Sequence, residues 1–155
     1  EQGWTRGRIG VTAGARVDDG FARQPLAVSP HGSLRVGLGP GLMWTSAFSH
    51  SVQYAPLSQT TLRTFGNPGL LPQRSIHAVT GFERALGSMT RIRAEVFYRA
   101  DRDLIAQPLW EPRVLPGGAI FNPPVNARFE NSVRGAARGW EVYLQRRTAT
   151  RWNGW

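Results

Sequence analysis

Residues 91–101 read Arg-Ile-Arg-Ala-Glu-Val-Phe-Tyr-Arg-Ala-Asp, and no other stretch restricts the fold as tightly. At period two, one face is Arg91, Arg93, Glu95, Phe97, Arg99 and Asp101, and the other is Ile92, Ala94, Val96, Tyr98 and Ala100. Successive strand residues point to opposite sides of a sheet, so charges line one side and an apolar row lines the other. A helix would scatter those charges round its circumference. The segment is therefore a β-strand between a wet space and an oily one, longer than the roughly 5–6 residues usual in soluble sheets. Two environments fit: a soluble sheet with one face on a core, or a transmembrane barrel with lipid outside and water inside.

The same alternation recurs along the chain. It predicts strands over about 5–17, 32–38, 42–53, 75–85, 89–101 and 137–147, and the truncated start of another over 152–155. On 5–17 the apolar side is Thr5, Gly7, Ile9, Val11, Ala13, Ala15 and Val17; Leu34, Val36 and Leu38 and then Leu42, Trp44, Phe48 and Val52 follow. Asp18-Asp19-Gly20 carries turn chemistry, and Phe21 to Pro30, with Pro25 and Pro30, reads as a loop. Gly39-Pro40-Gly41 and Leu86-Gly87-Ser88 are tight reversals. Tyr54 to Arg74 and Asp103 to Val133 lack periodicity and are Pro-rich, which predicts long loops well beyond ordinary connections. Connections expected to alternate long and short put every long loop at one end of an antiparallel up-and-down meander and every tight turn at the other. Outer-membrane barrels have that asymmetry, and about 10 residues tilted by about 45° span their apolar band. Trp4, Trp44, Trp140, Trp152 and Trp155 lie near strand ends or on apolar faces, where either an interfacial girdle or a core would place them.

Composition narrows the function classes. With 18 Gly and 11 Pro, a largely helical chain is disfavoured and an all-β one fits. The formal charge is +9, carried by arginine alone. Those arginines are dispersed, and no basic helix or RNA-binding aromatic motif accompanies them, so nucleic acid is not an expected partner. The absence of cysteine removes disulfides, thiolate metal sites and thiol catalysis. His31, His50 and His77 stand at no metal-binding spacing, and Gly37-Leu38-Gly39-Pro40-Gly41 lacks the Lys-Ser/Thr of a phosphate loop. No metal or cofactor is expected.

Several segments resemble TonB-dependent outer-membrane receptors, in the order in which that family's barrel carries them. Val11-Thr12-Ala13-Gly14-Ala15-Arg16-Val17-Asp18 is similar to a strand ending in Gly-x-Arg-x-Asp, and Ser29-Pro30-His31-Gly32-Ser33-Leu34 to the Ser-Pro-Arg-x-Ser-Leu that opens the next. Gly66-Asn67-Pro68-Gly69-Leu70-Leu71-Pro72-Gln73-Arg74-Ser75 resembles the Gly-Asn-Pro-x-Leu-x-Pro-Glu-x-Ser loop, with Gln73 in place of Glu, and Gly81-Phe82-Glu83 follows as Gly-x-Glu. Ala94 to Ile105 resembles the strand ending in Phe-Tyr and then Asp-Leu-Ile, and Arg138-Gly139-Trp140-Glu141 the Gly-x-Glu of the return strand. The resemblance implies a partial transmembrane β-barrel, residues 1–155 being a middle-to-late fragment of a barrel domain, in the bacterial outer membrane. It implies energised import of a scarce solute such as a siderophore, cobalamin or a glycan, without chemical catalysis. The implied partners are outer-membrane lipid, a plug domain of the same parent chain, the TonB energy-transducing complex and the extracellular solute.

Within that reading Arg91, Arg93, Glu95, Arg99 and Glu141 face the lumen, contacting solute or plug, or pairing with one another. Two other classes remain open here. One is a soluble all-β carbohydrate- or lipid-binding module with Leu34, Val36, Ile92, Val96 and Val142 in a closed core. The other is a phospholipase-type enzyme using His50 near Ser49 and Ser51, although strand alternation points those serines to the opposite face.

Overall fold

The computed structural model describes residues 1–20, 24–108 and 110–147, the side chains of Gln24 and Pro25 excepted. The expected strand over 152–155, with Trp152 and Trp155, lies outside the described residues. In chain order the elements are β1 (Gln2–Arg6), β2 (Ile9–Gly20), β3 (Gln24–Gly39), β4 (Leu42–Gln53), α1 (Leu57–Thr61), β5 (Gln73–Leu86), β6 (Thr90–Ala106), β7 (Arg113–Val114), β8 (Ile120–Phe121) and β9 (Glu130–Arg146). Seven strands form one antiparallel meander sheet in the order β1-β2-β3-β4-β5-β6-β9, open at β1 and β9 among the described residues, and β7 pairs with β8 separately. No described helix is long and apolar enough to cross a membrane, which leaves strands unaddressed.

Besides β6 running on to Ala106 and β9 beginning at Glu130, both inside the loop expected over Asp103–Val133, two larger differences separate the fold from the sequence expectation. The strand expected over 5–17 is a hairpin: Gly7, at φ 59°, reverses the chain, and Arg6 pairs with Ile9. Across a two-residue turn the parity switches, so Trp4, not Thr5, shares a face with Val11. The second difference is the loop expected over 21–30. β3 already begins at Gln24, which pairs with Gly20, so this connection is short and the long-short alternation of loops fails there. Pro30 lies inside β3 opposite Ala15. Gly37 N donates to Arg8 O at 2.7 Å, and in an antiparallel ladder alternate residues donate to alternate sides, so the position of Pro30 aims away from β2. On that other side the register with β4 starts only at His31, and the missing N–H forfeits no ladder bond with β2.

The chain divides into two compact units: Glu1–Ser51 with Ser75–Ala100 and Ala136–Trp155, and Val52–Arg74 with Asp101–Gly135. In the first, cross-strand neighbours sort by face. Trp4, Val11, Leu34 and Ser46 form one row, and Ile9, Val36 and Trp44 the next. Thr12, Ser33 and Ala47 form a row of the opposite face, beside Gly10, Arg35 and Thr45. The apolar rows are not covered: Val96 is 53%, Val142 57% and Trp140 74% exposed, and Ile92, Leu34 and Val36 are half-buried. The closed core of a soluble module is absent from these positions.

The second unit has its own small core. Leu70 is 2% and Phe129 9% exposed, and Pro72 and Pro108 are buried. The Phe65 ring lies 5.6 Å from Phe129, edge-on, and 5.0 Å from Trp110. Burial of one large aromatic contributes about 1.5–3 kcal/mol, enough to order a short loop but not a domain. The segments expected to be structureless loops therefore carry α1, the β7–β8 hairpin and a packed centre.

Candidate functional site

The charged face of β6 collects the residues that the sequence singles out. Arg91 Nε lies 3.2 Å from Glu83 Oε1 on β5, and Arg93 Nη2 2.5 Å from Glu95 Oε2 two residues along its own strand. Same-face positions on neighbouring strands, or at i and i+2, are the pairs a sheet brings together, so both contacts follow from register. Glu95 Oε2 is buried without an aligned hydrogen bond, so its partner Arg93 meets it as an ion pair by distance alone. Arg35 and Arg93, with Ser33, Thr45, Val79 and Glu83, line a hollow of about 190 Å³ on this face. Arg35, Arg91, Arg93 and Arg99 share this face with Glu83, Glu95 and Glu141, and Asp101 continues the same parity of β6, so cations and anions are interleaved in a way suited to polar or polyhydroxylic groups.

Arg99 is exposed on the same parity of β6. Glu141 is exposed on β9, and the pairing of that strand is fixed by its neighbour Gly139, where a β-carbon would stand 2.8 Å from Phe97 Cζ. The Phe97 ring occupies the space a side chain at 139 would take. Thus Glu141 shares the parity of Gly139, and Gly139 shares the face of Phe97, Arg93 and Glu95; no described residue forms an ion pair with Glu141.

Sequence spacing does not bring the histidines together, but the sheet does so for two of them. His31 stands opposite Ser49, and His31, Ser49, His77, Thr12 and Ser33 line a second hollow of about 240 Å³ on the polar face. His31 and His77, 46 residues apart, line one hollow because β2, β3, β4 and β5 lie side by side, which no local motif signals. Among the described residues no three His, Asp or Glu side chains form a metal-binding group.

In the second unit the Gly66–Pro72 segment acts as a staple. A β-carbon at Gly66 would stand 2.5 Å from Leu62 O, so only glycine fits there. Asn67 Oδ1 accepts from Gly69 N at 2.9 Å, closing a turn, while its Nδ2 donates to Phe129 O at 2.9 Å. Arg128 donates to Gly66 O at 3.0 Å, and Phe129 N to Phe65 O at 3.0 Å. Asn131 Oδ1 accepts from Leu71 N at 2.7 Å, and its Nδ2 donates to Leu71 O at 3.0 Å and to Asp103 O at 2.6 Å. Gln73 Oε1 accepts from Ile105 N at 3.3 Å, a bond its amide makes as a carboxylate would. Asn131 is the residue sequence reading missed, and the motif residue Asn67 was seen without its role; their long-range partners leave no trace in local pattern.

On the apolar face three polar groups of β4 and β5 are closed within the protein. Trp44 Nε1 donates to Thr80 Oγ1 at 2.8 Å, Thr80 Oγ1 to Thr45 O at 3.1 Å, and Ser46 Oγ to Val79 O at 3.4 Å. No family model matches the chain, and no curated protein matches it.

Proposed function

We propose that this chain is a wall segment of a TonB-dependent outer-membrane receptor, with lipid against the row Ile92, Ala94, Val96, Tyr98, Ala100 and an aqueous lumen against Arg91, Arg93, Glu95 and Arg99. One observation carries the reading: long strands expose an apolar face, interrupted by Arg84 and Arg138, on which Val96 and Val142 are more than half exposed. Burial of such side chains is the main stabilisation of ordinary domains, so an uncovered row calls for an apolar medium. The inward bonding of Trp44, Ser46 and Thr80 supports it, because polar groups facing hydrocarbon must find partners within the protein. The charged face then supplies contacts for a solute or a plug, and the stapled loops present the outer surface on which a siderophore, cobalamin or glycan would dock. Transport proceeds without bond chemistry; energy reaches the lumen from the TonB complex.

The chain has no cysteine, so single-cysteine variants at each position from 92 to 100 give clean labelling sites. With nitroxides attached and the protein in bilayers, positions 92, 94, 96, 98 and 100 are expected to collide with oxygen and the odd positions with an aqueous nickel chelate. Uniform aqueous access would discard the barrel. Uptake of labelled ferric siderophore or cobalamin that survives a protonophore unchanged would discard energised import.

A further inference from the structure

We infer that Arg102 and Arg134 form a site for the phosphate group of an anionic lipid at the membrane–water boundary; this rests on the membrane reading above. Gly135 fixes the pairing. A β-carbon there would stand 3.6 Å from Asp101 Cβ and 3.3 Å from Asp101 Oδ2, so Gly135 and Asp101 face one another across β6 and β9. The same offset recurs where Gly139 meets Phe97 and where Arg147 N donates to Met89 O. The preceding residue on one strand and the following residue on the other, Arg134 and Arg102, are then direct neighbours on the opposite face.

Two guanidinium groups side by side repel, and like charges directly opposite in a sheet are destabilising. Both arginines are exposed, and neither has an ion-pair partner among the described residues. The nearby carboxylate of Asp103 lies 3.9 Å from Arg74 Nε instead. Glu130, on the parity of Arg134, is four residues away, about 13 Å along the strand. An anion between the two forks removes the repulsion, and phosphate fits because each guanidinium presents paired donors to two oxygens.

Depth selects lipid as the source. Along β6, Arg102 continues the parity of Ala94, Val96, Tyr98 and Ala100, the row that faces hydrocarbon. Its centre is Val96, six residues from Arg102, or about 20 Å along the strand and about 14 Å in depth at a tilt of about 45°. Half of an apolar band about 25 Å tall is about 12 Å, so the pair stands just outside it, level with the headgroups.

The test uses the protein reconstituted in phosphatidylcholine bilayers with trace spin-labelled phosphatidylglycerol or spin-labelled phosphatidylcholine. Phosphatidylglycerol is expected to be held at the protein in preference, by about fivefold for each arginine engaged. Arg102→Gln with Arg134→Gln should remove most of that preference, and the paired Lys replacements should retain part of it. If the double variant does not incorporate, Arg134→Gln alone is read, with a drop of about fivefold expected. Preference unchanged in the glutamine variants overturns the site. Displacement of the label by excess inorganic phosphate overturns lipid as its source. Immobilisation of neither lipid, with the wild-type protein left outside the bilayer, is a separate failure, that of the membrane reading.

Discussion

The sheet and the loop unit put their large apolar residues to opposite uses. In the loop unit Leu70, Pro72, Pro108 and Phe129 turn inward, and side-chain amides tie backbone to backbone around them. In the sheet Val96, Trp140, Val142 and Leu144 turn outward, and order rests on ladder bonds and same-face neighbours. The loops thus carry a small core of their own, whereas the sheet depends on whatever medium meets its apolar side. A chain with 41% hydrophobic residues can therefore fold with almost no interior, provided the hydrophobic effect is satisfied elsewhere.

The largest expected effect tests the loop side. Phe129→Ala removes the ring that meets Phe65 and leaves a cavity, at about 3–5 kcal/mol by comparison with buried aromatic truncations. Hydrogen exchange should show the amides of Asn67, Leu71 and Phe129 losing protection while those of β2 and β3 keep theirs. Equal loss in both places would mean that the contrast is false and one cooperative structure spans them.

Next comes Val96→Arg on the sheet. In a bilayer a cation at mid-depth on the lipid face costs about 2–4 kcal/mol, whereas the same change on a wet surface stays within about 0.5 kcal/mol. Urea unfolding from phospholipid vesicles measures the difference. A shift near zero would return the apolar face to water and take the lipid half of the comparison with it.

Much of this was legible in period-two patterning because a sheet with different media on its two faces writes its register into every other residue. Arg91 to Asp101 gave strand, faces and ion-pair candidates at once. The pattern misled where two strands of opposite parity abut: across Gly7-Arg8 the apparent alternation runs on through a hairpin. It failed again at 24–30, where Pro30 reads as a breaker although its N–H is not required by the ladder with β2. The Gly66–Pro72 motif was visible, but its role was not, since its partners Phe129 and Asn131 lie about 60 residues on. The His31, Ser49 and His77 hollow was hidden for the same reason.

A smaller effect sharpens the loop side. Asn131→Leu deletes one acceptor and two donor contacts and leaves Leu71 N and two carbonyls to find other partners. Partial exposure lets water replace some of these, so about 1–3 kcal/mol is expected in place of the sum of three bonds. Exchange at Leu71 is the direct readout, and an unchanged rate there would mean that the aromatic contacts alone hold the loops.

The smallest effect addresses what kind of space the charged face borders. Arg91 is 57% and Glu83 23% exposed at the side chain, which describes a wet pair. A double-mutant cycle with Arg91→Gln and Glu83→Gln should then give a coupling of about 0–1 kcal/mol, reduced further by salt. On the proposed receptor reading a plug or a bound solute covers this face; water would then be displaced and the coupling would rise, because attraction at a few ångströms grows as the dielectric falls. Measuring the cycle on the chain alone and again with the face covered, by the plug domain that the proposal expects or by an added solute, compares the two states through a single pair. Equal coupling in both would keep Arg91 and Glu83 in open water and remove them from the contact surface, leaving Arg35 and Arg93 as the arginines to pursue.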